Sequence, residues 1–248
     1  MGPHRFSFIG GKTGWPRLAA ILIPILISGC AYCPGGRYPF DFNKFHDTPL
    51  TPDVSAWLMG GEQGRITPRI RAMAAEIRGR NRRERLYKAM RKIWQVFTYD
   101  GWLNEVKFSR TADELYKSRV LGGCSDFALV EITLFRAVGI PARMILTANV
   151  DWMAKRKKDE LVPVEGHSFI EVFLEDRWYL VDSTYRWLYS AYDPERSGFP
   201  HGEIFCMRGR DFWDMGLRNT RHLQKLLGAF ALAYKGDYHE PRYPKAPL

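Results

Sequence analysis

Three side chains in this sequence have the types and spacing for acyl transfer through a thiol: Cys124, His167 and Asp182. A cysteine nucleophile needs a lowered pKa and a base within reach. Cys124 follows Gly122-Gly123 at the start of an apolar helical pattern. There the helix dipole and free backbone N–H groups favour a thiolate, and the cysteine's own N–H can serve an oxyanion hole. His167 opens one alternating segment and Asp182 closes the next. A hairpin centred between residues 174 and 175 would place them opposite one another, the arrangement in which a carboxylate orients an imidazole. Taken singly, each has a plainer reading. Cys124 suits a buried small apolar position, His167 a solvated strand end, and Asp182 a turn. A set of cysteine, histidine and carboxylate is also a zinc donor set, which is the weaker reading; no metal or cofactor is expected.

The elements that must carry these residues are legible in outline. Thr67-Pro68 reads as a helix start, followed by Ile70, Met73 and Ile77 at helical spacing. After Gly79-Arg80, Asn81 with Glu84 caps a second helix whose stripe is Leu86, Met90, Ile93 and Phe97. Thr111 with Glu114 is a further capping box, opening a short helix to about Lys117. Ser125 to Val138 reads as a largely buried helix that Gly139-Ile140-Pro141 ends. Strand patterns follow: 143–150, the alternating stretch 167–174, a turn at Glu175-Asp176, then 178–182. Residues 151–165, with the run Lys155-Arg156-Lys157-Lys158, read as a loop. A terminal helix is expected over 220–235 and a loose tail over 236–248. Helices first and strands after make an α+β fold.

The N-terminus reads as an address. An acid-free stretch with Arg5, Lys12 and Arg17 leads into the apolar run 18–27, about the length of a signal-peptide core and short for a membrane span. Ile27-Ser28-Gly29-Cys30 then resembles a bacterial lipobox, which makes Cys30 the expected site of lipidation. The expected division is a signal peptide at 1–29, a tether at 30–60 rich in Gly, Pro and aromatics, a catalytic domain at 61–235, and the tail. The domain then faces the cell envelope on a lipid anchor, at the outer membrane facing the periplasm if the host has two membranes. Removing residues 1–29 lowers the net charge from +10 to +7. Most of that excess lies on the two helices between Arg65 and Lys92, read as a solvated face or as a contact for an anionic surface. No nucleic-acid motif accompanies it. Four cysteines are too few for a disulfide scaffold in 248 residues. Cys206 reads as an idle thiol, with Cys33 as a partner in an oxidising compartment.

The four segments Gly122-Gly-Cys124-Ser-Asp-Phe-Ala128, Arg136-Ala-Val-Gly-Ile-Pro-Ala-Arg143, His167-Ser-Phe-Ile-Glu-Val172 and Trp178-Tyr-Leu-Val-Asp182-Ser-Thr184 resemble, in order and spacing, the successive motifs of the transglutaminase-like superfamily. The likeness spans about residues 65–190. It implies a papain-like α+β core, with a cysteine helix packed on an antiparallel sheet. It also implies thiolate attack on an amide carbonyl: Cys124 as nucleophile, His167 as general base and acid, Asp182 as its orienter. Phe169 stands where the family often has Trp. Trp102 and Tyr99 are the candidates for the second oxyanion donor, although core packing is the plainer role for each. Arg143 fits a structural ion pair better than substrate binding. No calcium site is evident. The expected substrates are peptide or isopeptide amides of protein, with hydrolysis favoured over cross-linking. The alternative is a non-catalytic lipoprotein that binds peptide or cell-wall polymer with the same fold.

Overall fold

The computed structural model describes residues 41–101, 106–160 and 162–248. The signal segment, the lipobox, Cys33 and Trp102 lie outside them.

Seven α-helices fall within these residues: α1 (Pro52–Ser55), α2 (Pro68–Ala75), α3 (Arg82–Val96), α4 (Ala112–Ser118), α5 (Cys124–Ala137), α6 (Val150–Lys157) and α7 (Thr220–Ala233). The caps expected from sequence form. Asn81 Oδ1 accepts from the Glu84 N–H at 2.9 Å, while Glu84 reaches back to the Arg80 N–H at 2.8 Å. Thr111 and Glu114 make a complete capping box on α4. Gly139, at φ +82°, ends α5 in a Schellman motif: its N–H meets the Arg136 carbonyl, and that of Ile140 meets Phe135. A left-handed residue is needed there, and glycine takes that conformation without a Cβ clash. No helix among the described residues is long and apolar enough to cross a membrane.

The strands are β1 (Thr98–Tyr99), β2 (Val120–Leu121), β3 (Ala142–Asn149), β4 (Ser168–Leu174), β5 (Arg177–Asp182), β6 (Trp187–Tyr189), β7 (Gly198–Phe199), β8 (Glu203–Gly209) and β9 (Lys245–Pro247). The last seven form one antiparallel sheet in the order β7-β8-β3-β4-β5-β6-β9. Alternation along the strands sorts the residues onto two faces. One carries Ile145, Phe169 and Leu180, which pack with Tyr189, Tyr192 and Phe199. The other carries Met144, Ile170, Val181 and Leu188, all buried. Helix α5 packs against β3 and β4 and is buried over most of its length. The molecule is therefore α+β, with the cysteine helix against the antiparallel sheet that bears the histidine and the aspartate.

Four expectations need correction. Residues 41–60 are not tether but part of the domain. Phe42 is buried against Tyr87, ring centroids 5.6 Å apart, and the Asn81 amide donates to the carbonyls of Phe42 and Phe45, each at 2.8 Å. The C-terminal segment is not a loose tail, because 245–247 adds β9 beside β6. Pro247 is tolerated there because an edge strand leaves one side of its backbone unpaired. Residues 150–157 are helical rather than loop. Asn149 Oδ1 caps the N–H groups of Asp151 and Trp152, Trp152 and Met153 are buried, and the basic run falls in the last turn, where cations suit the dipole.

The fourth correction concerns the hairpin. It is centred between 175 and 176, with Ile170 opposite Val181 and Leu174 opposite Arg177. Glu175 and Asp176 both have positive φ, as the two central residues of a type I′ turn require. The change of register is even, so the facing of every side chain is kept. Asp182 thus falls opposite Phe169, and His167 lies diagonal to it, within reach for a long side chain.

The basic helices are partly committed inside the molecule. Arg83 of α3 is buried and makes a two-pronged bond to Glu175 at 2.9 and 2.6 Å, between the rings of Phe45 and Tyr179. Arg85 pairs with Asp47 at 3.0 Å and Lys92 with Glu76 at 2.5 Å. Arg83 therefore fixes the turn of the hairpin that ends in Asp182.

Candidate active site

Cys124 is the first residue of α5, with Gly123 as the N-cap. The helix entrance is anchored by Asp126, whose carboxylate accepts the Gly122 N–H at 2.7 Å and pairs with Arg110. The thiol faces the His167 imidazole and the Ser125 N–H. Burial opposes charge on this sulfur. The hydrogen bond and charge of His167, with Lys107 and the Ser125 N–H, outweigh it, and the thiol pKa falls below its ordinary value. Cys206 on β8 is the contrast: burial alone pushes its thiol up to about 12.

His167 precedes β4 directly and is fixed through its backbone. Its N–H donates to Thr147 Oγ1 at 3.2 Å, and its carbonyl accepts the Thr147 N–H at 3.0 Å. Thr147 in turn donates to Glu203 Oε2 at 2.7 Å. Phe169 lies buried beneath the imidazole, edge to face at 4.7 Å. Nε2 of His167 meets Asp182 Oδ1 at 3.1 Å, which leaves Nδ1 for Cys124. Burial disfavours the imidazolium, but Asp182 and Cys124 more than offset it and hold the ring's pKa well above its ordinary value. Asp182 is buried, which by itself raises a carboxyl pKa. Its contacts with His167 and His201, and the Tyr185 N–H, instead hold it below the usual carboxylate range. All three shifts favour the same state: thiolate, imidazolium, carboxylate.

The structure thus brings Cys124, His167 and Asp182 together in that order. The sequence did not point to His201, which approaches the second oxygen of Asp182. It stands in Pro200-His201-Gly202, which by pattern is only a turn. Tyr99 is not in the core; the residue is 63% exposed, beside Phe127 at 6.4 Å between rings. Arg143 is engaged in the interior, with Glu171 at 2.5 Å and the Trp178 ring at 3.6 Å. Among the described residues no group of three potential ligands is arranged to hold a metal ion.

A second buried acid lies beside the site. Glu131 of α5 is fully buried; its polar neighbour, the Ser183 hydroxyl, does not close a well-formed hydrogen bond. Burial, reinforced by the Asp182 charge, raises its pKa to about 8. The folded chain keeps this proton where the unfolded chain releases it, near pH 4.3. Folding therefore takes up a proton between about pH 4.5 and 8, and stability falls as pH rises through that window. Glu131→Gln has no such slope. Urea unfolding should show the variant gaining on the wild type by a few kcal/mol between about pH 5 and 8. A difference that does not change with pH would refute the buried, protonated carboxyl.

Residues 71–183 match the family model of the transglutaminase-like superfamily. That match covers a little under half of the chain and takes in all three site residues. Among solved structures, a candidate cysteine protease from Cytophaga hutchinsonii matches with a TM-score of 0.51 and 20% identity, over 70% of this chain and 54% of that one. The present chain thus spans about half the length of that relative, and the likeness is one of fold. A structure described as a TGase matches at a TM-score of 0.32 and 12% identity, over 62% of this chain and 37% of that one. No curated protein matches the chain. The matched segment of the transglutaminase-like core runs from α2 to just past Asp182. It takes in α5, β3 and the β4–β5 hairpin, the elements that hold the three residues.

Proposed function

We propose that this chain is a cysteine hydrolase or acyltransferase of the cell envelope, acting on peptide or isopeptide amides through Cys124, His167 and Asp182. The observation that carries the reading is the line of contacts from thiol to imidazole to carboxylate at the N-terminus of α5. The Cys124 thiolate attacks the amide carbonyl carbon, and the developing oxyanion is met by the Cys124 N–H. His167 gives its proton to the leaving amine, so the C–N bond breaks and a thioester remains. Water, or an amine, then attacks the thioester while His167 takes its proton. The C–S bond breaks, and the thiolate and imidazolium are restored. Asp182 keeps the imidazolium oriented throughout. Hydrolysis is the favoured outcome, with envelope protein or peptidoglycan peptide as substrate. The lipid on Cys30 holds the enzyme at the membrane.

An electrophilic thiol probe applied to the full chain near pH 6 tests this reading. Labelling should fall on Cys124 in preference to Cys206, whose thiol is pushed up to about 12, and should vanish in Cys124→Ala. In cells, envelope proteins should differ in cut or linked products between the wild type and Cys124→Ala. A labelled Cys124 with no change in any envelope protein would favour a binding protein instead.

A further inference from the structure

The two oxygens of Asp182 are occupied differently. Oδ1 accepts from His167 Nε2 and from the backbone N–H groups of Thr184 and Tyr185, at 3.1, 3.0 and 3.1 Å. Oδ2 is buried and closes no hydrogen bond of good geometry with any neighbour. What approaches it is His201 Nε2, at 3.4 Å. A buried carboxylate oxygen left without any donor is costly, more so when charged. An imidazole N–H placed there matters out of proportion to its distance.

His201 is built into this position. Its backbone is left-handed, at φ +68°, a conformation that is strained for a non-glycine residue and persists only where the surroundings impose it. The surroundings are the C-terminal segment. Glu240 Oε1 accepts the His201 N–H at 3.3 Å, and the Tyr238 hydroxyl accepts the Gly202 N–H at 3.1 Å. The ring lies on Tyr185 at 4.6 Å, and its Nε2 stands 3.3 Å from the Tyr189 hydroxyl. The side chain remains 36% exposed, so one face of the ring is open to solvent.

We propose that His201 is a positioning residue for the site, donating its Nε2 proton to Asp182 Oδ2 so that Oδ1 stays turned toward His167. This rests on reading Cys124, His167 and Asp182 as the triad. Two histidines then share one carboxylate, one at each oxygen, and only His167 touches the thiol. The other ionisable groups facing this carboxylate and its histidines are Glu131 from α5, Glu203 from β8, Glu240 from the C-terminal segment, and Tyr185 and Tyr189. Without the His201 donor, the carboxylate loses one of its two histidines. Its hold on the His167 imidazolium weakens, and the thiolate becomes harder to form.

The test is the rate of Cys124 alkylation by iodoacetamide against pH in the full chain, read by intact mass with Cys124→Ala as blank. His201→Phe keeps a ring on Tyr185 and removes the donor; His201→Gln keeps an N–H. The midpoint of the profile should move up by about half a pH unit or more in His201→Phe, as loss of a hydrogen bond to a charged group implies, and stay near the wild type in His201→Gln. A merely structural residue would lower the Tm of both variants without moving either midpoint, and that result overturns the proposal. Should His201→Phe fail to fold, 15N spectra of histidine-labelled protein decide it. Asp182→Asn should shift the signals of both His167 and His201, and an unmoved His201 signal refutes the contact. A wild-type midpoint at the ordinary cysteine value removes the triad reading itself, together with the role assigned to His201. A lowered midpoint with indifferent His201 variants removes only the latter.

Discussion

His167→Ala should slow alkylation of Cys124 by about ten-fold at pH 6 and lose that deficit at pH 9. The size follows from two opposing effects. Without the imidazolium, the thiol loses the lowering that His167 gives it and returns toward an ordinary pKa of about 8.5, where only a small fraction is ionised at pH 6. A thiolate of higher pKa is intrinsically more nucleophilic, which returns roughly one order. Above pH 8.5 both proteins are ionised, and the variant becomes as fast as the wild type or faster. A uniform loss at every pH would mean that the substitution had only disturbed the fold. Amide turnover should fall much further than alkylation, because the leaving amine then lacks its proton donor.

The second large effect is on stability. Glu171 of β4 is fully buried and binds two arginines and a tyrosine: Arg143 at 2.5 Å, Arg208 through two bonds of 2.8 Å, and the Tyr192 hydroxyl at 2.7 Å. Arg143 sits on β3, directly opposite Glu171, and Arg208 on β8, so the carboxylate joins three adjacent strands. Glu171→Ala leaves two largely covered guanidinium groups, 13% and 24% exposed, with no carboxylate. Breaking a buried ion pair from one side costs about 3–5 kcal/mol. For a domain of this size that corresponds to a fall in Tm on the order of 10 °C. Calorimetry on the full chain measures it, and a fall of only one or two degrees would show that water enters and serves the arginines instead. Glu171→Leu is expected to be just as damaging, since the two cations remain.

Local signals carried much of this fold. The caps at Asn81 and Thr111, the glycine stop at Gly139 and the alternation through 168–174 all depend on neighbours close in sequence, and they form where those signals lie. What stayed hidden depends on distant partners. The basic run after Lys155 masked a helix whose reason is the burial of Trp152 and Met153. β9 exists only because β6 offers it an edge. Arg83 reads as surface charge until Glu175, far along the chain, is seen to receive it. The hairpin register shifted because Glu175-Asp176, not Leu174-Glu175, takes up the positive φ of the turn.

The site divides in the same way. Cys124 was marked by its glycines and its apolar helix, and His167 and Asp182 by their places at strand ends. His201 carried no such mark, because its importance comes from a C-terminal segment that folds back on residues 198–203. Tyr99, an aromatic upstream of the cysteine, looked like packing but stands in solvent. Its spacing held no information about which way the short strand faces.

The central claim is that Cys124 is a thiolate held by His167 before any substrate arrives. The most direct measurement is the ultraviolet absorbance of thiolate in the full chain as pH is raised, with the Cys124→Ala titration subtracted. A single step below the ordinary cysteine value of about 8.5 is predicted, with the step moving up toward that value in His167→Ala. A Cys124 step at or above 8.5 in the wild type would contradict the account.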